Sequence, residues 1–277
     1  VEAINKGIKT KNVDTTGKEK LSAGGDAEVY GIRVNGGTVT ATLTGELLMD
    51  NAWAANGAGS TYTFAGGTGG VGSAEGGDGG YAVACGIEVN GGGIAHLDLQ
   101  DINTQDNMSS TYFSGGAGGA GAAAANGASG AGGTATAVGL QNTAGSLTAD
   151  VQKLEITATG GFGAAGMSSY GAINGVGAKG GAAAAYGINV LGGLAENLTA
   201  AEITVQATGG TSYDWGDVAN YEGCVNADGA GVTGTTGGDG ATGAAYGISN
   251  SGGSVGVTVG KITAAAVGGA GSKLSLI

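Results

Sequence analysis

The single histidine of the sequence, His96, stands in Ala95-His96-Leu97-Asp98-Leu99, with Asp101 three residues beyond Asp98. An imidazole near carboxylates is the minimum equipment for general acid–base chemistry. The residues around it alternate apolar and polar, which is the signature of a strand, and the trio has no counterpart elsewhere in the chain. A polysaccharide lyase or hydrolase would gather several Asp with Arg or Lys in a cleft, and here Arg33 is the only arginine. No Ser–His–Asp constellation can be assembled. His96 is expected to be a surface or packing residue, and the chain to be no enzyme.

Patterns for metals and nucleotides also fail. The calcium nonapeptide Gly-Gly-x-Gly-x-Asp is approached by residues 76–84 and 237–245, but Tyr81 and Thr242 stand where its aspartate belongs. GVGAKG (175–180) matches Gly-x-Gly-x-x-Gly, with no βαβ unit around it and no Lys-Ser/Thr phosphate loop. Cys85 and Cys224 lie far apart without metal-ligand spacing. They read as two small buried or semi-buried residues, with a long-range disulfide as the alternative.

The elements that carry these residues are built from unusual material. Of 277 residues 65 are glycine and none is proline, which excludes collagen, since its triple helix needs imino acids. Glycine this dense disfavours helices, at about 1 kcal/mol per residue against alanine. No apolar run approaches the roughly 20 residues of a membrane helix. The formal net charge is -12, a surface that repels phosphate, so neither nucleic acid nor anionic lipid is an expected partner. The chain begins at Val1 and reads as a segment of something longer.

Self-similarity gives the main result. Gly31, Gly86, Gly139, Gly187 and Gly247 anchor five matching stretches, such as YGIRVNGGTVTATLTGELL (30–48) and YGISNSGGSVGVTVGKIT (246–263), and NKGIKTKN (5–12) offers a sixth. Repeat units therefore begin near 5, 30, 85, 138, 186 and 246, within one segment spanning 1–277. Each unit reads as strand, turn, strand, turn, strand. Its first corner is a pair of small residues: Gly36–Gly37, Gly91–Gly92, Ala144–Gly145, Gly192–Gly193 or Gly252–Gly253. The third strand begins at Leu47, Ile102, Ile156, Ile203 or Ile262. Short strands repeating in this way predict an all-β chain, a parallel β-helix of about six turns.

Stacking the units in that alignment makes a column of Glu46, Asp101, Glu155, Glu202 and Lys261. Carboxylates about 5 Å apart repel, so the column must be solvated or must hold a cation. Ca2+ takes six to eight oxygens, and one carboxylate per turn is thin for that. A solvated face is the expectation, with a weak Ca2+ site as the alternative and no other cofactor. Threonines in TATLT (40–44) and ITAT (156–159) raise ice binding, but the other units break the ladder.

Four glycine-rich inserts separate the units, at about 66–80, 115–133, 160–181 and 227–245. Glycine often falls at every third position in them, as at Gly231, Gly234, Gly237, Gly240 and Gly243. They read either as loops or as polyglycine-II-like segments, three residues per turn, packed through their bare faces. Aromatic residues gather where the inserts begin: Trp53, Tyr62, Phe64, Tyr112, Phe113, Phe162, Tyr213, Trp215 and Tyr221. They either seal strand ends or stack on sugar; Trp53, Tyr62, Tyr112, Phe113, Tyr213 and Trp215 are the candidates for stacking. Tyr30, Tyr186 and Tyr246 share one repeat position with Cys85 and Val138, an exchange that points to packing.

The motif in VYGIRVNGG (29–37), AYGINVLGG (185–193) and AYGISNSGG (245–253), with its glycine-rich spacers, resembles the passenger regions of bacterial autotransporter-type surface proteins over most of the chain. That resemblance implies a right-handed β-helix displayed outside the cell, an outer-membrane barrel beyond this segment, and an adhesin role. The inserts also resemble those of phage tail-fibre tip adhesins and a glycine-rich antifreeze class. The functional expectation is a non-enzymatic extracellular or bacterial cell-surface protein acting in adhesion or fibre self-assembly. Its partners would be a host or environmental receptor or glycan, or further copies of itself. A carbohydrate-binding or ice-binding solenoid is the alternative, and a β-helix lyase or hydrolase the least favoured reading.

Overall fold

A computed structural model describes residues 3–4, 11–13, 19–21, 26–48, 52–53, 74–75, 78–103, 131–163, 178–212 and 238–271. These form strands without any helix. Five strands are short: β1 (Ala3–Ile4), β2 (Lys11–Val13), β3 (Glu19–Leu21), β6 (Ala52–Trp53) and β7 (Ala74–Glu75). The other ten come in pairs, one pair per repeat: β4 (Ala27–Asn35) with β5 (Thr38–Leu48), β8 (Ala82–Asn90) with β9 (Ile94–Asn103), β10 (Ala135–Asn142) with β11 (Ser146–Thr159), β12 (Ala183–Val190) with β13 (Leu194–Thr208), and β14 (Gly243–Asn250) with β15 (Ser254–Val267).

The first strands of the pairs make one five-stranded sheet, in the order β14-β12-β10-β8-β4. The second strands make another, β15-β13-β11-β9-β5. Every pairing within these two sheets is parallel. The fold is therefore all-β, with two parallel sheets. Of the sixth unit expected near residue 5, residues 5–10 lie outside the described residues. Its described neighbours join neither large sheet: β1 pairs with β6, and β2 pairs antiparallel with β3.

Between the sheets lies one apolar core, in which Ile87, Leu140 and Ile188 of the first sheet meet Leu99, Leu154 and Ile203 of the second. Burying each such side chain contributes about 1.5–3 kcal/mol. The anchor glycines explain how both halves of each first-sheet strand reach this core. Strand side chains alternate with period 2, so a one-residue slip turns the following residues to the other face. In β12, Ala185 and Ile188 both point inward with Tyr186 and Gly187 between them. A Cβ on Gly187 would lie 2.5 Å from Ile203 Cγ2 and 2.6 Å from the Gly247 carbonyl oxygen. Only a residue without a side chain fits the slip.

The second-sheet strands contain a matching slip. Val151 and Leu154 are buried with Gln152 and Lys153 outside, and Ala200 and Ile203 with Ala201 and Glu202 outside. The expected second and third strands are thus halves of one continuous strand, and the predicted turn between them is this break in alternation.

Two-residue corners also differ from expectation at some positions. Positive φ occurs at Gly36, Gly37, Gly91, Gly92, Gly193 and Gly253, where glycine carries no Cβ penalty. At Ala144–Gly145 it does not, because Asn142 closes that corner from inside the core. Its side-chain amide donates to the carbonyls of Gly145 (3.1 Å) and Leu194 (2.9 Å), and its Oδ1 accepts from the Gly145 N–H (2.9 Å).

The described ends of the glycine-rich inserts pack backbone against backbone. The N–H of Gly161 donates to Gly133, Gly181 to Gly161, Gly210 to Gly181, Ala241 to Gly210 and Gly269 to Ala241, all at 2.8–3.0 Å. A Cβ on Gly160, Gly181, Gly210 or Gly269 would overlap a neighbouring carbonyl oxygen. The interiors of the inserts lie outside the described residues.

Candidate functional site

The outer face of the first sheet carries two residue columns. One is Tyr30, Cys85, Val138, Tyr186 and Tyr246, as the shared repeat position implies. Tyr186 and Tyr246 stack with ring centroids 5.0 Å apart and planes 10° from parallel, a favourable aromatic arrangement when offset. At the other end the Arg33 guanidinium lies 4.3 Å from the Tyr30 ring centroid, a cation–π contact. Tyr81 closes the same end: its hydroxyl donates to Glu28 Oε1 (3.0 Å) and its N–H to Asp26 Oδ1 (2.9 Å).

Beside the tyrosines runs a polar ladder, Arg33, Glu88, Gln141, Asn189 and Ser249. Arg33 Nε sits 2.5 Å from Glu88 Oε2. Gln141 Nε2 donates to Glu88 Oε1 (3.1 Å), and Asn189 Nδ2 to Gln141 Oε1 (3.3 Å). Glu88 and Asn189 are buried although they stand on an outer face. Reasoning from sequence missed this ladder. Its signal was present, since every unit has a polar residue two positions after its anchor glycine.

Burial, then the carboxylates of Glu28 and Glu88, pushes the Tyr30 hydroxyl up to about 12. The bond to Glu28 raises Tyr81, and burial followed by the neighbouring Tyr246 raises Tyr186. Burial pushes the Cys85 thiol well above its ordinary range, and the Glu88 carboxylate adds to this. A thiol so placed stays protonated at neutral pH and is inert as a nucleophile. Its Sγ lies 3.4 Å from the Ile87 carbonyl, and the structure holds it as a free thiol. Cys224 lies outside the described residues.

On the second sheet the register corrects the expected acidic column. Asp101 pairs with Lys153, and Lys153 with Glu202, so the column runs Glu46, Asp101, Lys153, Glu202, Lys261. Glu155 stands two positions on, between Asn103 and Thr204. The alignment slipped because unit three offers two aliphatic residues, Leu154 and Ile156, and it is Leu154 that stacks between Ile102 and Ile203. Lysine thus interrupts the carboxylates. Lys261 Nζ lies 2.9 Å from Glu202 Oε1, and Lys153 Nζ 2.8 Å from Glu155 Oε2. The Lys261 contact holds the Glu202 carboxyl below its usual range. Among the described residues, no group of three or more His, Cys, Asp or Glu is placed to hold a metal ion.

His96 is exposed between Thr40 and Thr148, and Asp98 is exposed between Thr42 and Asp150. The threonine column is broken there by the paired aspartates, with the Thr199 hydroxyl donating to Asp150 Oδ1. Of the six stacking candidates, Tyr62, Tyr112, Phe113, Tyr213 and Trp215 lie outside the described residues. Trp53 is placed by backbone alone, on β6 opposite Ile4. Phe162, at the start of an insert, is exposed. Compared with known proteins, the chain matches no family model, no curated protein and no solved structure.

Proposed function

We propose that the chain is a parallel β-solenoid with polyglycine-II-like flanks. It serves as a non-enzymatic structural protein on a bacterial surface or outside the cell, in adhesion or fibre formation. One observation carries this reading. The five repeats stack position upon position, so that core, tyrosine, polar and charged residues each form a column along the stack. Such an arrangement spends its side chains on holding neighbouring repeats together, as repeat architectures do, and leaves its outer faces as display surfaces.

Adhesion is tested with beads carrying the purified chain, presented to cell monolayers and to a glycan array. Retention above that of albumin-coated beads supports the reading. Retention equal to albumin on every surface, with no assembly in solution, would falsify it. Glycan binding that disappears in Trp53→Ala or Trp215→Ala would instead favour a carbohydrate-binding module.

A further inference from the structure

We propose that the chain joins end to end with a second copy of itself, the free edge of β15 in one copy pairing in parallel with the free edge of β5 in the next. This deepens the solenoid reading and rests on it. β15 and β14 close the two sheets at one end, and β5 and β4 at the other. Among the described residues, no strand pairs beyond β15 or beyond β5. An unpaired strand edge is a template for another strand, and natural edges are usually blunted with proline or inward-pointing charge. The chain has no proline and the inward positions of β15 are Val255, Val257, Val259 and Ile262, so its edge charge, Lys261, stands on the outer face.

Those inward residues show what the joint would cover. Ile262 is 46% exposed, whereas its counterparts Leu154 and Ile203, inside the stack, are 0% exposed. Val39, Ala41, Leu43 and Leu47 of β5 are likewise only partly buried, although they pack on the core. Both edge strands therefore leave part of one apolar core uncovered, with β1 and β6 lying against the neighbouring β4 at the β5 end. Carrying the internal register forward sets Val255 on Val39, Val257 on Ala41, Val259 on Leu43 and, past the extra residue that β5 carries between Leu43 and Glu46, Ile262 on Leu47. The extra residue that interrupts the β13–β15 register before Leu198 belongs to β13, the strand with positive φ at Asn197. β15 lacks it and so keeps the same Val255-Val257-Val259 spacing as Val39-Ala41-Leu43.

Charge selects the same partner. The column ends in Lys261 at the β15 edge and begins with Glu46 at the β5 edge. A copy added by the same register sets lysine beside glutamate, whereas joining two β15 edges sets lysine beside lysine. Electrostatic complementarity of this kind fixes register and rejects wrong partners.

The test uses the full chain in a Cys224→Ser background, with sedimentation velocity over a hundredfold concentration range and negative-stain microscopy. Concentration-dependent elongation is expected. Lys261→Glu should weaken association by roughly tenfold or more, and adding Glu46→Lys should restore it. Neighbouring Cα atoms in paired strands lie within disulfide reach. Mixed Lys261→Cys and Glu46→Cys proteins should therefore cross-link under mild oxidation, while neither does so alone. A monomer at every concentration, or cross-linking of Lys261→Cys with itself, overturns the proposal. A control disulfide within one copy, from His96→Cys with Thr148→Cys, reports the stacking of repeats independently. If it forms while the joint does not, the end-to-end proposal falls and the solenoid stands. If it does not form, the solenoid reading itself fails.

Discussion

Asn142 stands in a column with Val34, Val89, Val190 and, on the edge strand β14, Asn250. Judged by burial alone, Asn142→Val should stabilise the protein. The three hydrogen bonds to its corner reverse the sign, because the Gly145 N–H would lose its partner and the Gly145 and Leu194 carbonyls one donor each, the Gly145 carbonyl keeping the Leu194 N–H. A loss of about 2 kcal/mol is expected, read as a lower urea midpoint with an unchanged slope; a higher midpoint would show that the corner closes without the asparagine. Arg33 poses a second single-residue question. Its Glu88 partner is 8% exposed while Arg33 itself is 41% exposed. Removing one partner of a fully buried pair costs about 3–5 kcal/mol, and the exposure of Arg33 lowers this to about 1–3 kcal/mol for Arg33→Met. Glu88→Gln in the same protein should recover most of it, which a double-mutant cycle measures. Tyr30 contributes to the alkaline limit together with Cys85, Tyr81 and Tyr186, all of them raised in the folded state. The Tyr30 hydroxyl is raised in the folded state to about 12 from an ordinary value near 10, so the unfolded chain releases its proton first. The associated stability is present below about pH 10 and is lost as pH climbs towards 12. Tyr30→Phe should flatten that part of the stability profile, and an unaltered alkaline limb would assign the fall elsewhere.

At the scale of elements, the repeating Tyr-Gly-Ile motif is a device for turning a strand without leaving the sheet. Gly187→Ala places a methyl group against Ile203 and the Gly247 carbonyl. The carbonyl is backbone and cannot rotate away, so a cost of about 1–3 kcal/mol is expected, measured by thermal or urea unfolding. Ala184→Gly, two residues before Tyr186 on the outer face, serves as a control with a smaller effect. The sequence made the strand pairs and their parallel stacking legible through the spacing of these glycines. What it concealed was the slip in alternation, because Leu154 and Ile156 both satisfy an aliphatic pattern and only pairing across the sheet tells them apart. For the same reason the charged column was read as four carboxylates when Lys153 stands within it. The polar ladder was overlooked because Arg33, Glu88, Gln141, Asn189 and Ser249 share hydrogen-bonding capacity and no single chemistry. The triplet glycines were read with two outcomes open, and their described ends join as backbone packing that depends on the absence of Cβ atoms.

For the whole molecule, stacked repeats make stability a sum over units and their interfaces, so length should be adjustable in steps of one unit. Gly139 and Gly187 lie 48 residues apart, and Val138 pairs with Tyr186. Deleting residues 138–185 therefore joins the first half of β10 to the second half of β12 in an unbroken strand. β8 then meets this hybrid strand, and β9 meets β13, with Ile102 facing Ile203 and Asp101 facing Glu202. The aliphatic columns close, while the loss of Lys153 sets two carboxylates side by side. Since the stack remains continuous, the shortened chain should fold cooperatively with the same circular dichroism per residue and a denaturant slope reduced in proportion to its lost surface. Asp101→Lys in that background should raise its midpoint, because a lysine then stands between Glu46 and Glu202 while Glu202 keeps its contact with Lys261. A deletion of equal length displaced by half a unit, residues 114–161, would join an insert to another insert and remove β10 and β11 whole. It also leaves complete units on either side, and it should fold for the same reason. Removing the 24 residues 147–170, by contrast, takes all but the first residue of β11 and leaves β10, so the first sheet keeps its five strands while the second loses one and falls out of step. Failure of both 48-residue deletions, or an equally stable 24-residue deletion, would show that the repeats do not bear on one another as interchangeable layers.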